Sequence, residues 1–104
     1  PERGKTCAGT NVYQKAALYL SDQIGSRTVT CTSTGKDSYE RAVATCSVNG
    51  ADLGDLMVGA GWARDWPKYS QGAYADSEAR ARAARKGVWN LDCPDDLWGN
   101  RKYD

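Results

Sequence analysis

Two short segments rich in β-branched residues, each with a cysteine near its centre, constrain the fold of this chain most. Residues 27–34 (RTVTCTST) and 41–48 (RAVATCSV) flank the polar stretch 35–40 (GKDSYE), which predicts an antiparallel hairpin. Pairing positions whose numbers sum to 77 sets Cys31 opposite Cys46. A disulfide needs Cβ atoms about 3.5–4.5 Å apart, which a non-hydrogen-bonded antiparallel pair nearly supplies. The register therefore favours a Cys31–Cys46 disulfide.

The remaining cysteines, Cys7 and Cys93, help to predict whether the protein resides in an oxidising or a reducing compartment. The chain has four cysteines and no CxxC pair, so a zinc knuckle or a thioredoxin-like motif is not expected. An even number in a small domain indicates two disulfides, Cys31–Cys46 and Cys7–Cys93, and an oxidising compartment. The alternative is four buried free thiols in a cytosolic protein.

Composition excludes several kinds of site. The chain has no histidine, which removes the Ser-His-Asp triad, the Cys-His dyad and the usual zinc sites. Its net charge of +1 is far from that of a dedicated nucleic-acid binder, although residues 1–91 hold 12 basic against 9 acidic residues. No run of about 18 apolar residues is present, so no membrane span is expected. A length of 104 residues predicts one domain.

Three helices are predicted around the hairpin. Apolar residues recur at helical spacing from Asn11 to about residue 24, and Thr10 or Asn11 can cap this helix. A second helix follows the cap Asp52. A third is predicted from about residue 69 to residue 86, with Gly87 as the stop.

The predicted hairpin is too small to cover the apolar faces of these helices, because an isolated two-stranded hairpin is only marginally stable. Residues 1–10 are polar and predict a loop, and the chain starts at Pro1 rather than Met. We therefore expect a fragment or a processed product. A homodimer, strand exchange or a cleaved N-terminal piece would complete the sheet, since open strand edges invite pairing.

Five stretches, taken in order, resemble the staphylococcal nuclease (thermonuclease) family. They are Pro1-Glu2, the helix 13–20, VTC…GKDSYERAVATC at 29–46, NGADLGDLMVGAGWAR at 49–64 and YSQGAYADSEARARAARKGVW at 69–89. Their order and spacing make the resemblance specific. The paired VTC and ATC strands are typical of bacterial members that are secreted or periplasmic, so the resemblance implies that localisation.

The resemblance implies an α+β fold: a partial OB-fold barrel of the staphylococcal nuclease type with three helices, its first strands missing. The nuclease-like domain is expected to span residues 1–91, followed by an acidic C-terminal tail at residues 92–104. That tail holds four acidic and two basic residues.

The resemblance also implies calcium-dependent hydrolysis of phosphodiester bonds in single-stranded DNA or RNA. In the family, aspartates bind Ca²⁺, two arginines clamp the phosphate and a glutamate acts as general base or positions water. Calcium prefers oxygen ligands, and a guanidinium group binds phosphate in a bidentate manner. The aspartates and the first arginine have no counterpart in this sequence, so we expect no metal ligands in this chain and no activity from it alone.

Six residues fall on or near functional positions of the family. Glu2 matches the general base and Arg41 matches the second phosphate arginine, which makes both candidate catalytic residues. Four more are candidates for substrate binding: Tyr39, Tyr69, Lys36 and Lys68.

Glu40 departs from the family, which has glycine in the corresponding Tyr-Gly-Arg motif. A carboxylate beside Arg41 would pair with it or repel a phosphate. This departure favours an alternative function, a non-catalytic binding or accessory module, since domains of this family also occur with proteins of bacterial exopolysaccharide (succinoglycan) biosynthesis. The tryptophans are expected to pack in the core, and the arginine-rich segment 78–86 is expected to be a solvated face.

Overall fold

The computed structural model describes residues 1–36, 39–40 and 42–99. Its regular elements alternate between short strands and helices along the chain. The strands are β1 (Thr6–Cys7), β2 (Thr10–Asn11), β3 (Thr30–Lys36), β4 (Ala42–Val48) and β5 (Ala51–Asp52). The helices are α1 (Val12–Ile24), α2 (Leu53–Gly59), α3 (Pro67–Ser70) and α4 (Ala75–Ala83), followed by a 3₁₀ turn at Gly87–Asn90.

The strands form two antiparallel sheets, β1-β2 and β3-β4-β5. The predicted α+β class is confirmed, and the described strands make part of an OB-like sheet without closing a barrel. No helix in the described ranges has the length and apolar character needed to cross a membrane.

The β3–β4 hairpin follows the predicted register over its first half. Thr30 pairs with Ser47 and Cys31 with Cys46, which confirms the predicted register, in which the numbers of paired residues sum to 77. A bulge then places Gly35 opposite Val43, so β3 continues to Lys36 and the prediction that it ends at residue 34 was wrong. The extra residue is accommodated because a bulge leaves one residue of the strand unpaired.

Both predicted disulfides are present. Cys31–Cys46 links the two strands of the hairpin at a Cα separation of 4.1 Å. Cys7–Cys93 joins residues 86 positions apart, at a Cα separation of 4.3 Å. Two disulfides fit an oxidising environment better than a reducing one.

The hydrophobic core lies where the two ends of the chain meet. Cys7, Val12, Val88 and Leu97 form a buried cluster. Three of the tryptophans pack against this cluster as expected: Trp62, Trp89 and Trp98. The expectation of a plain loop at residues 1–10 was wrong, since the β1–β2 ladder brings Cys7 into this core.

The third helix begins later than predicted. Pro67 starts the single turn α3, and Gln71 and Gly72 then both have left-handed backbone angles, φ +56° and +82°. Two consecutive residues in that region end a right-handed helix. The long helix α4 therefore starts at Ala75 rather than near residue 69.

The third helix also ends earlier, at Ala83. Arg85 has φ +55°, and the Lys86 amide donates to the Ala81 carbonyl at 3.0 Å, which is the Schellman pattern. Gly87 has a different role from the predicted stop. A Cβ at this position would lie 2.5 Å from the Gly61 carbonyl oxygen, so glycine is needed for close contact between the two loops.

Candidate nucleic-acid interface

The end of the β3–β4 hairpin carries two of the described residues of the predicted site, Lys36 and Tyr39. Tyr39 is 77% exposed, the most open of the large hydrophobic side chains found at the described surface. Lys36 Nζ lies 3.6 Å from Glu40 Oε2, and both side chains are mostly exposed. We call Lys36, Tyr39 and Glu40 the hairpin end. Arg41, which follows directly in sequence, lies outside the described residues.

Glu40 occupies a backbone position suited to glycine. Its φ is +63°, in the left-handed region, where a residue with a Cβ costs about 1–2 kcal/mol. This cost gives a physical reason for the glycine that the family has here. The chain instead carries a carboxylate that contacts Lys36.

Glu2 is positioned by the C-terminal segment. Its amide donates a hydrogen bond to the Leu97 carbonyl at 2.8 Å. Gly99 lies against its side chain: a Cβ on Gly99 would come within 2.5 Å of Glu2 Oε1. Glu2 itself is half-buried. The segment that holds this candidate base therefore lies about 95 residues further along the chain.

Two further links fasten the same segment to the start of the chain. Lys5 Nζ contacts Asp96 Oδ2 at 2.6 Å, and the disulfide Cys7–Cys93 lies beside them in sequence. The hydrogen bond and the charge of Lys5 lower the pKa of Asp96 below its usual value. We call residues 93–99 the C-terminal strap.

The remaining candidates belong to α3. Lys68 is exposed in this single turn. Tyr69 follows it in α3, but its side chain lies outside the described residues. At the hairpin end the structure shows a contact between Lys36 and Glu40, with Tyr39 beside Glu40 in sequence. The other two described candidates lie elsewhere: Glu2 contacts the strap, and Lys68 belongs to α3.

A buried polar network between the loop after α2 and α4 was missed by sequence reasoning. Asp65 is only 5% exposed; it accepts hydrogen bonds from the Ser70 hydroxyl and, at 3.4 Å, from the Tyr74 amide. Its own amide donates to Glu78 Oε1 at 2.9 Å. Glu78 also contacts Arg82 at 3.0 Å. Only the Glu78–Arg82 spacing was visible in the sequence, because the other contacts span loops.

Tyr74 connects this network to α2. Its hydroxyl donates to Asp52 Oδ2 at 2.8 Å, while Asp52 Oδ1 caps α2 by accepting from the Gly54 amide at 2.8 Å. Burial, and next the hydrogen bond to Asp52, raise the pKa of Tyr74 to about 12. The predicted capping role of Asp52 is confirmed, and the network fixes α2 against α4.

The described residues do not fit a calcium site. Within residues 1–36, 39–40 and 42–99, no three or more Asp, Glu, His or Cys residues form a group able to hold a metal ion. The half-buried Asp52 binds the Tyr74 hydroxyl and caps α2, and the buried Asp65 binds the Ser70 hydroxyl. No reaction step can be assigned to a metal at these residues.

A comparison with curated protein sequences gave no significant match. A comparison with family models gave a match to the family described as staphylococcal nuclease homologue, over residues 1–91. The match includes both strands of the long hairpin, Glu2 and all four described helices, and leaves the whole C-terminal strap outside. The chain therefore belongs to the staphylococcal nuclease homologue family.

Proposed function

We propose that this chain binds single-stranded DNA or RNA through its hairpin end, as part of a phosphodiesterase-type domain, and that the chain tested alone does not cleave its ligand. The observation that carries the proposal is the exposure of Tyr39 at the end of a disulfide-linked hairpin whose strand β3 ends at Lys36. Membership of the nuclease family supports nucleic acid as the ligand.

The hairpin end has the chemistry that single strands require. An exposed aromatic ring stacks on a base whatever its sequence, at about 1–3 kcal/mol per base. Lys36 and Arg41 supply cations for the neighbouring phosphates, and an arginine adds bidentate hydrogen bonds. The Cys31–Cys46 disulfide links the two strands that flank Tyr39, which reduces the conformational freedom lost on binding.

In the proposed domain Glu2 orients or deprotonates the attacking water, and Arg41 stabilises the charge that develops on the phosphate. The C-terminal strap holds the backbone of Glu2 in place. Calcium dependence, which the family implies, requires ligands beyond the described residues, and no step is assigned to the ion here.

A second candidate function is a non-catalytic binding or accessory module, for example in bacterial exopolysaccharide (succinoglycan) biosynthesis. The contact of Glu40 with Lys36 favours it, because this carboxylate offsets the positive charge that a phosphate would meet. The sequence of the turn also contains Asp37, so residues 36–41 hold as many acidic as basic side chains.

Fluorescence anisotropy with a labelled oligothymidylate tests the proposal. Tyr39→Ala should raise the Kd about 5- to 150-fold, which corresponds to the loss of one stacked base. Tyr13→Ala is the matched control, since Tyr13 is 41% exposed on α1. Equal affinities for the two variants would overturn the proposal. Tighter binding of an anionic polysaccharide than of the oligonucleotide would favour the accessory module.

A further inference from the structure

Three helices enclose an open groove of about 670 Å³ away from the residues of the predicted site. Tyr19 of α1, Asp55 of α2 and Arg80 of α4 contribute to its lining. Trp62, Ser77 and Lys86 also line it. We call this space the helix groove. It combines aromatic rings with cationic and hydroxyl groups, a composition typical of surfaces that bind single-stranded nucleic acid.

The basic residues around α4 divide into two groups. Arg82 has a structural role: it contacts Glu78 at 3.0 Å and lies 4.2 Å from the centre of the Trp89 ring. Arg80, Arg85 and Lys86 are exposed and have no acidic partner within the part of the chain that the structure describes. Arg80 and Lys86 both belong to the lining of the helix groove.

The acidic group in the groove lining is Asp55, and it is already engaged. Its Oδ1 accepts a hydrogen bond from the Ser77 hydroxyl, whose oxygen in turn accepts one from Arg80 at 3.1 Å. This hydrogen bond holds Arg80 at the groove wall and uses only one of the five N–H donors of its guanidinium group. Two cations against one hydrogen-bonded carboxylate leave the groove positively charged.

The end of α4 holds the backbone of Lys86, the second cationic residue of the helix groove, in place. The Lys86 amide closes the helix by bonding to the Ala81 carbonyl, and Val88 bonds to the Gly61 carbonyl at 3.0 Å. Lys86 therefore sits on a backbone held at both sides, beside the negative end of the helix dipole. A cationic residue whose backbone is held in place loses less conformational freedom when it binds a phosphate than one on a loose loop.

We propose that the helix groove is a second binding surface for single-stranded nucleic acid, in which Arg80 and Lys86 contact phosphates and Tyr19 packs against a base or sugar. The sequence pattern of alternating alanine, acid and arginine favoured a solvated face over a nucleic-acid patch. The groove and the absence of acidic partners for Arg80 and Lys86 in the described residues change that interpretation. The inference shares its ligand class with the proposed function but uses different residues.

The salt dependence of oligothymidylate binding tests the inference. For single strands, each lost phosphate contact lowers the slope of log K against log salt by about 0.7. Arg80→Ala with Lys86→Ala should therefore reduce the slope by about 1.4 and weaken binding at low salt about tenfold. Lys15→Ala with Arg27→Ala removes the same charge elsewhere and should leave the slope nearly unchanged. Equal slopes for the two double variants would overturn the inference.

Amide chemical shifts recorded during the same titration separate this inference from the proposed function. Shifts at both the helix groove and the hairpin end support both. Shifts confined to the groove support the inference and contradict the proposed function, whereas shifts confined to the hairpin end do the reverse. No shift at either surface contradicts both. Unchanged spectra of the free variants outside the substituted sites verify that they fold.

Discussion

The amide of Glu2 donates a hydrogen bond to the carbonyl of Leu97, and this 2.8 Å contact joins the candidate general base to the C-terminal strap. Leu97 is buried in the same core as Cys7 and Val12. The position of Glu2 therefore depends on a segment that lies wholly beyond the family match, which ends at residue 91.

Gly99→Ala should displace the Glu2 carboxylate, because the new methyl group would lie 2.5 Å from Glu2 Oε1. Gly99 also has φ +76°, so alanine should cost about 1 kcal/mol of unfolding free energy. Gly72→Ala is the control, since Gly72 has φ +82° with nothing within 4 Å of an added Cβ. Both variants should lose similar stability in urea unfolding. Only Gly99→Ala should shift the NMR signal of the Glu2 carboxyl carbon, and an unmoved signal would contradict the positioning role.

The two disulfides should differ in their contribution to stability. The loop-entropy model gives about 3 kcal/mol for a loop of 15 residues and between 4 and 5 kcal/mol for one near 90. Cys31–Cys46 and Cys7–Cys93 close loops with separations of 15 and 86. Cys7→Ala with Cys93→Ala should therefore lower the urea midpoint more than Cys31→Ala with Cys46→Ala. The opposite order would show that the strap contributes little to the fold.

The burial of Tyr74, together with its hydrogen bond to Asp52, should make stability fall at high pH. The pKa of Tyr74 is raised from the ordinary tyrosine value of 10.0 to about 12 in the folded state. Its neutral form therefore stabilises the fold fully below pH 10, and this contribution is lost as the pH rises towards 12. Tyr74→Phe should be less stable than the parent by about 1 kcal/mol at pH 7.

Thermal unfolding from pH 7 to pH 12 checks this expectation. The difference between the parent and Tyr74→Phe should shrink above pH 10, because only the parent loses the stabilisation from the raised pKa of Tyr74. Tyr13→Phe, which removes a phenol from exposed α1, should not change the pH dependence. A constant difference between the parent and Tyr74→Phe would contradict the assigned contact.

Replacing Glu40 should strengthen nucleic-acid binding at the hairpin end. Glu40→Gln removes the charge that offsets Lys36 and keeps the backbone geometry, whereas Glu40→Gly also removes the left-handed strain. One exposed charge contributes about 0.5–1 kcal/mol, so both variants should lower the Kd about two- to fivefold. Asp76→Asn is the control, since Asp76 is an exposed acidic residue on α4. Unchanged affinity in both Glu40 variants would argue against a phosphate contact there.

The hairpin and its disulfide could be predicted because they depend on local pattern. Strand alternation fixes the register, and the register places Cys31 opposite Cys46. The later bulge could not be predicted, since it depends on how the turn after Gly35 closes. The start of the third helix was misplaced because the left-handed angles of Gln71 and Gly72 are not encoded by helical spacing.

The candidate site was predicted only in part. The resemblance to the nuclease family made Tyr39 and Glu2 candidates. Neither that resemblance nor the hydrophobic pattern of the sequence indicated the strap, because the hydrogen bond of Glu2 to Leu97 joins residues far apart in the sequence. The Asp65–Glu78 network was missed for the same reason. An isolated Asp in a loop is an ordinary surface residue until tertiary packing buries it.

Incubating the chain with labelled single-stranded DNA, with Ca²⁺ and with chelator, tests the central claim most directly. Anisotropy measures binding, and a denaturing gel of the same samples measures cleavage. We predict that the chain binds the DNA in both conditions, that Tyr39→Ala binds more weakly, and that the DNA stays intact throughout. Cleavage that chelator abolishes would contradict the claim that the chain alone is inactive, and failure to bind in either condition would contradict the proposed nucleic-acid interface.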